Sequence, residues 1–275
     1  MWVARQSVQK RQPATFRLNW RNPITRGLIL CVPGAPWNYF DLVSGRRPTF
    51  TGTLAATNTQ YGRLGRFAGA EAVDYTAFTA AELATATPAT VAWIQQNTTQ
   101  AGGDTICHFH PNGSVEAFYV YQDPGSGSDY YFACGQGGSS GIQFNSVGAI
   151  SNDVPERFML VASAGLVNTT GSNWALFRGM TKIANSGAVA AGPGAASTIR
   201  LGALAGGTAF YEGGLGQFCV WNRALTDQEA LSYQANPMQI YESQRILFPV
   251  SAVVASVKNK RSSNSLGTRM GSRSI

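Results

Sequence analysis

The sequence has little charge and no long apolar run. Only 13% of its 275 residues are Asp, Glu, Lys or Arg, and no stretch of about 18 consecutive apolar residues occurs. The first twenty residues also lack the apolar stretch of about 7–15 residues that a secretory signal needs. We therefore expect neither a membrane-spanning helix nor export through such a signal.

Side chains that bind metals are few and poorly spaced. His108 and His110 are two apart in "CHFHP", on one face of a strand, without a third ligand at a recognisable spacing. Asp123 and Asp129 border a Gly/Ser loop that lacks the glutamate and spacing of an EF-hand. We therefore predict no metal and no cofactor. The four cysteines show no C-x-x-C spacing and are interpreted as buried free thiols: Cys31, Cys107, Cys134 and Cys219.

Positive charge is concentrated at the two ends of the chain. The formal net charge is +7. Residues 1–26 carry six basic side chains and no acidic one, and residues 245–275 carry the same. Of the 21 basic and 14 acidic residues, nine basic and fourteen acidic remain in 27–244, which gives this part a charge of −5. The basic character of the protein therefore belongs to its ends.

This charge pattern predicts two extended arms around one domain. We expect a basic N-terminal arm over 1–23, a folded domain over 24–250 and a basic, serine-rich C-terminal arm over 251–275. Lys and Arg also neutralise nucleic-acid phosphates, but the arms have few interleaved aromatics, so acidic protein surfaces are the preferred partners. The predicted assembly residues are Trp2, Arg5, Lys10, Arg11, Phe16, Arg17, Lys258, Lys260, Arg261, Arg269 and Arg273.

The domain itself is predicted to be an all-β sandwich. The chain contains 31 glycines and 12 prolines, and these separate short runs rich in Val, Ile, Phe and Tyr. Leu28–Val32 and 90–96 are clear strand candidates. One helix is predicted over 227–235, because Thr226 and Glu229 have the spacing of a capping box and Asn236-Pro237 stops the helix.

Several segments carry a resemblance to a known family. "ERFMLVASAG", "NWALFRGMTKIANSG" and "YEGGLGQFCVWNRALTDQEALSYQANP" resemble the second half of concanavalin A-like, laminin-G-like jelly rolls, over about residues 155–236. "LNWRNPITRGLILCV" and "NPMQIYESQRILFPVSA" resemble members encoded by tailed bacteriophages and prophages. The resemblance implies a jelly-roll sandwich of two antiparallel sheets with one short C-terminal helix. It also implies that Cys31 and Cys219 are neighbours, because the first and last strands of jelly rolls often pair.

The resemblance implies a structural protein of the phage particle. We expect a non-enzymatic component of the virion exterior, assembled in the bacterial cytoplasm, as capsid decoration or as part of the tail or baseplate. Its partners would be shell, tail or baseplate proteins and copies of itself, and we expect no interaction with a membrane. Hydrolases of this superfamily carry an E-x-D-x-E strand, which is absent here, and neither of the close acidic pairs Glu71/Asp74 and Asp227/Glu229 has that pattern.

The alternative is a lectin-like module that binds glycans of the host surface. An aromatic ring can cover the apolar face of a pyranose, and Tyr119 and Tyr121 lie on one face of their strand. The same aromatics are also suited to fill the core of a sandwich, as we expect of Trp93 and Trp221. The predicted glycan-binding residues are Tyr119, Tyr121, Tyr130, Tyr131 and Trp174.

Overall fold

The computed structural model describes residues 16–34, 40–79, 82–83, 90–98, 104–110, 118–123, 131–136, 139–144, 147–148, 150–162, 174–184, 196–204, 207 and 209–242. Its strands are β1 (Leu28–Val32), β2 (Thr49–Thr51), β3 (Ala55–Thr59), β4 (Gly62–Ala68), β5 (Ala72–Tyr75), β6 (Thr90–Asn97), β7 (Asp104–His110), β8 (Phe118–Asp123), β9 (Tyr131–Gln136), β10 (Ser139–Phe144), β11 (Glu156–Ala162), β12 (Trp174–Arg178), β13 (Thr181–Ala184), β14 (Thr198–Leu201) and β15 (Glu212–Trp221). The helix α1 is Asp227–Ala235, and short 3-10 helices are Pro23–Thr25 and Pro237–Ile240.

The strands form two antiparallel sheets. One contains eight strands in the order β13-β12-β11-β6-β15-β4-β3, with β1 also paired to β15. The long β15 has β6 along one edge, and β4 and β1 share the other edge end to end. The other sheet contains seven strands in the order β10-β9-β8-β7-β14-β5-β2. The predicted jelly-roll sandwich of two antiparallel sheets is confirmed.

The main hydrophobic core lies between the sheets. Strand alternation sends every second side chain inward, so Phe158 and Leu160 of β11 are fully buried in this core. Trp93 of β6 stacks on Phe158, with ring centroids 5.6 Å apart. The prediction that Trp93 is a core residue is confirmed.

A buried polar network crosses the core at one end of the sandwich. The Gln95 amide donates to Asn97 Oδ1 (3.2 Å) and to Gln122 Oε1 (2.8 Å). The Gln122 amide in turn donates to Asp104 Oδ2 (3.3 Å), and the Tyr211 hydroxyl donates to Asn97 Oδ1 (3.1 Å). Because Gln95 belongs to the eight-stranded sheet and Gln122 to the seven-stranded one, these bonds set the relative position of the two sheets.

A second hydrophobic cluster covers the outer face of the eight-stranded sheet. It contains Trp221, confirmed as buried, beneath α1. Phe16 also belongs to it and packs on Tyr241, with ring centroids 4.9 Å apart. From the sequence, Phe16 is predicted to be an assembly residue of the extended N-terminal arm. This prediction is wrong, because the Phe16 ring is buried against its own domain. Two residues further along, Leu18 forms an antiparallel bridge with Tyr241, which follows the second 3-10 helix.

The helix α1 begins and ends as predicted. The Thr226 hydroxyl accepts from the Glu229 amide (3.2 Å), and the Glu229 carboxylate accepts from the Thr226 amide (2.9 Å), which completes the capping box. Pro237 follows the helix. In the part of the chain that the structure describes, no helix has the length and apolar character to cross a bilayer.

Cys31 and Cys219 are neighbours, as the resemblance implied. They face each other in the register of β1 and β15, and their sulfurs lie 3.5 Å apart as free thiols. Cys107 is also a buried free thiol. Burial raises the pKa values of Cys31 and Cys107 well above the usual range of a thiol. Both are therefore poor nucleophiles. The side chain of Cys134 lies outside the described part.

Candidate functional site

The outer face of the seven-stranded sheet carries a row of polar and aromatic side chains. Strand pairing places Asp74 of β5 beside Arg200 of β14, Arg200 beside His108 of β7, and His108 beside Tyr119 of β8. The residues that alternate with this row along each strand are buried between the sheets, so the row points outward. With His110 and Tyr121 on the same strands and face, these residues define what we call the tyrosine–histidine face.

An ion pair anchors one end of the face. Arg200 donates from Nε to Asp74 Oδ1 (2.6 Å) and from Nη2 to Asp74 Oδ2 (2.8 Å), and both side chains are half-buried. Nη1 donates to the Leu204 carbonyl (3.1 Å). The Asp74 hydrogen bonds raise the pKa of Arg200 further. The pair carries no net charge but presents both donors and acceptors, as sugar hydroxyls require.

The turn after β14 brings the Leu204 carbonyl to Arg200. It begins at Gly202, whose φ is +80°. A Cβ atom at this position would lie 2.4 Å from the Phe67 ring. Only glycine fits both the conformation and the space, so the sequence "RLGAL" has a structural reason next to this face.

His108 lies neutral in the middle of the face. Its side chain is fully buried. Desolvation, followed by the charges of His110 and Arg200, lowers its pKa to about 3. The two histidine rings stack with centroids 4.9 Å apart. No group of three His, Cys, Asp or Glu side chains suited to a metal occurs among the described residues.

Tyr119 and Tyr121 form the aromatic part of the face. Both are half-buried, and the Tyr119 ring meets His108 edge-on with centroids 6.4 Å apart. The residues opposite them on β9 are Gly135 and Ala133, the two smallest amino acids. A ring held by its edge is suited to contact a flat apolar surface such as a sugar.

The other predicted glycan-binding residues have different positions. Trp174 is 3% exposed and packs on Phe118 in the main core, with centroids 5.7 Å apart. Its prediction as a binding residue is wrong, because the inward face of β12 takes it between the sheets. Tyr131 of β9 is in register with Asp123 of β8. The side chain of Tyr131 and the whole of Tyr130 lie outside the described part.

The close acidic pairs are occupied by structural bonds. Asp74 binds Arg200, as above, and Glu71 accepts from the Ala68 amide (2.6 Å). Asp227 binds Lys182 (2.6 Å) and Glu229 caps α1. These pairs do not face each other across a groove as glycosidase carboxylates do.

Sequence reasoning missed Asp74 and Arg200 as parts of the binding face. They are 126 positions apart in the chain. The alternation around Arg200, which stands between two buried apolar residues, indicated an outward arginine. Nothing in the sequence indicated which strand would lie beside it.

Of the predicted assembly residues, Arg17 lies next to Phe16 in the domain, and its carbonyl accepts from the Glu242 amide (2.9 Å). The other predicted assembly residues lie outside the described part.

Comparison with known proteins supports the fold and leaves the family open. No protein-family model matches the chain, and no curated protein matches it. Solved structures do match, and seven of them, with a TM-score above 0.5, have 10–13% identity to this chain. At this level the likeness concerns the fold alone, which is that of jelly-roll β-sandwich domains.

Three of these structures illustrate the class. Domain 4 of the extracellular arabinanase AbnA from Geobacillus stearothermophilus, in complex with arabinotriose, matches with TM-score 0.54 and 12% identity over 74% of this chain and 97% of that one. The binding domain of botulinum neurotoxin DC, in complex with SialylT, matches with TM-score 0.52 and 13% identity over 77% of this chain and 52% of that one. Trypanosoma rangeli sialidase matches with TM-score 0.54 and 13% identity over 79% of this chain and 34% of that one. The chain therefore spans about half of the second structure and a third of the third.

Proposed function

We propose that this protein is a lectin-like module that binds a neutral glycan on the tyrosine–histidine face. The observation that carries the proposal is the placement of Tyr119 and Tyr121, which are half-buried and lie on one face, on the same sheet face as the Arg200–Asp74 pair. Aromatic rings and a bidentate polar pair are the two elements that sugar recognition combines. The neutral state of His108 and the internal compensation of Arg200 favour an uncharged ligand.

The fold neighbours add support to this proposal. Two of the matched structures, domain 4 of the arabinanase and the binding domain of botulinum neurotoxin DC, are named in complex with arabinotriose and with SialylT. A sialidase is also among the matches, so the fold by itself does not separate binding from catalysis. We propose binding without catalysis, because the close acidic pairs Glu71/Asp74 and Asp227/Glu229 are engaged in ion pairs, a backbone hydrogen bond and the cap of α1.

The first prediction is that Tyr119→Ala/Tyr121→Ala loses glycan binding. We expect roughly a 5- to 150-fold loss of affinity for the oligosaccharide that the wild type selects on an array of neutral and acidic glycans, because each ring contributes about 0.5–1.5 kcal/mol of contact. Isothermal titration with that oligosaccharide measures the loss.

Two variants control this experiment. Tyr119→Phe/Tyr121→Phe keeps the rings and should retain most of the affinity. Trp20→Ala removes an aromatic that is 58% exposed on another part of the surface and should bind as the wild type does. Unchanged affinity in a folded Tyr119→Ala/Tyr121→Ala variant would remove the face from consideration.

Secondly, we propose that the module sits on the exterior of a bacteriophage particle, as capsid decoration or as part of the tail or baseplate. The charge distribution favours this role, since two ends with six positive charges each flank a body of charge −5. Salt screens exposed charge pairs, so such docking needs many charges acting together. The resemblance of the terminal segments to phage proteins points to the same partners, and a host-surface polysaccharide is then the glycan.

The second prediction tests the arms. Deleting residues 1–15 and 256–275 should leave a folded monomer with the melting temperature of the full chain, because Phe16 and the described core are retained. This variant should no longer join the particle. Quantitative mass spectrometry of purified particles measures its copy number, and incorporation at the wild-type level would refute attachment through the arms.

A further inference from the structure

We propose that a second site on this protein binds the carboxylate of an acidic saccharide. The site is a groove of about 450 Å³ beside the eight-stranded sheet, between the β3–β4 turn and the start of β11. Its volume lies in the range of about 300–1,000 Å³ that small-molecule sites occupy. We call it the arginine groove, and its polar and aromatic lining consists of Tyr61, Glu156, Arg157, Arg178 and Thr181.

The charge of the groove comes from one side chain. Arg178 donates from Nε to Glu156 Oε2 (2.5 Å) and from Nη2 to Oε1 (2.8 Å), so these two charges compensate each other. Arg178 Nη1 donates to the Val147 carbonyl (2.6 Å). The ion pairs among the described residues do not include Arg157. The groove therefore has one arginine whose charge a ligand can neutralise.

Arg157 is held in place before any ligand binds. Its guanidinium carbon lies 5.1 Å from the centroid of the Tyr61 ring, and Nη1 donates to the Ala235 carbonyl at the end of α1 (3.3 Å). An arginine stacked on an aromatic ring keeps its planar edge available for two parallel hydrogen bonds. A carboxylate matches that edge. Because the side chain is already positioned, little conformational entropy is lost on binding.

The ligand class follows from these contacts. The carboxylate would bind Arg157, while Thr181, an exposed residue that lines the same groove, would offer its hydroxyl to a ring hydroxyl. The neutral tyrosine–histidine face lies on the other sheet and has no uncompensated arginine of this kind. The two sites thus differ in ligand charge, and this inference does not depend on the proposed function of that face.

The third prediction compares two sugars that differ at one carbon. In the Tyr119→Ala/Tyr121→Ala background, which leaves the arginine groove intact, D-glucuronic acid should bind at least about tenfold more tightly than D-glucose, since charged hydrogen bonds are the stronger ones. Arg157→Gln should abolish this preference, and added salt should weaken it. NMR titration measures both affinities.

Two control variants test whether the Arg157 guanidinium itself carries the preference. Arg66→Gln removes an exposed arginine of β4 that does not line the groove, and it should keep the preference. Arg157→Lys retains the charge without the planar fork and should keep only part of it. Equal binding of the two sugars, or a preference that survives in folded Arg157→Gln, would overturn the inference. In either case, an Arg157→Gln variant with wild-type Tyr119 and Tyr121 would still bind neutral glycans on the tyrosine–histidine face, so the proposed function of that face would not be affected.

Discussion

Replacing Asp41 with alanine should lower the free energy of unfolding by about 3 kcal/mol, because one buried and several partly buried donors would lose their acceptor. The Asp41 carboxylate is fully buried in the loop after β1. Oδ1 accepts from the amides of Cys31 (3.0 Å) and Val43 (2.9 Å). Oδ2 accepts from the Ser44 amide (3.1 Å) and the Ser44 hydroxyl, and Arg46 lies 3.7 Å away. Urea denaturation at pH 7 measures the loss.

Two further variants show whether the buried acceptor is responsible. Asp41→Asn keeps one acceptor oxygen, but its side-chain NH2 group would face the backbone amides that donate to the second carboxylate oxygen. We therefore expect an intermediate loss of unfolding free energy. Asp227→Ala removes an exposed carboxylate paired with Lys182 and should cost less than about 1 kcal/mol. A loss in Asp41→Ala no larger than that of Asp227→Ala would contradict the prediction.

Glu229→Gln should reduce stability at neutral pH and flatten the loss of stability in acid. Hydrogen bonds from Arg223 (2.7 and 2.8 Å) are the main cause that lowers the pKa of Glu229 to about 2, and the Thr226 cap adds to it. A carboxyl with a depressed pKa stabilises the fold above its unfolded value of 4.5. That contribution is lost as the pH falls through the folded value near 2.

The expected difference is about 2 kcal/mol at pH 7, because the Glu229 side chain is 24% exposed and its ion pair is partly screened by solvent. The difference between wild type and Glu229→Gln should shrink between about pH 4.5 and 2. Denaturant titrations at several pH values measure it. Glu242→Gln, at an exposed position, should follow the wild-type curve. A constant difference across this range would refute the role of the charge.

Arg223 explains why this single pair has a large effect. Besides Glu229, it donates to the carbonyls of Arg26 (2.9 Å) and Pro23 (3.1 Å). It thereby connects the helix α1 with the chain before β1, nearly 200 positions away. The capping box was visible in the sequence because its partners are three residues apart. The arginine was not, because its partners meet only after the first and last strands have paired.

The same distinction applies to the binding face. Period-2 alternation in the sequence placed Tyr119 and Tyr121 on one side of a strand, and local geometry alone guarantees this. Alternation does not state which side faces the core. Trp174 was therefore grouped with the tyrosines, although the packing of the two sheets buries it against Phe118.

Local patterns along the chain were enough to predict the fold class, the helix and its cap, and the residues that share a strand face, because each depends on contacts between near neighbours. The row from Asp74 to Tyr119 could be known only from the folded molecule, since it requires four strands in one register. The same holds for Arg157, which meets Tyr61 and has no carboxylate partner among the described residues. Ligand sites of this kind consist of side chains distant in the chain, and their spacing is set by sheet pairing rather than by any local preference.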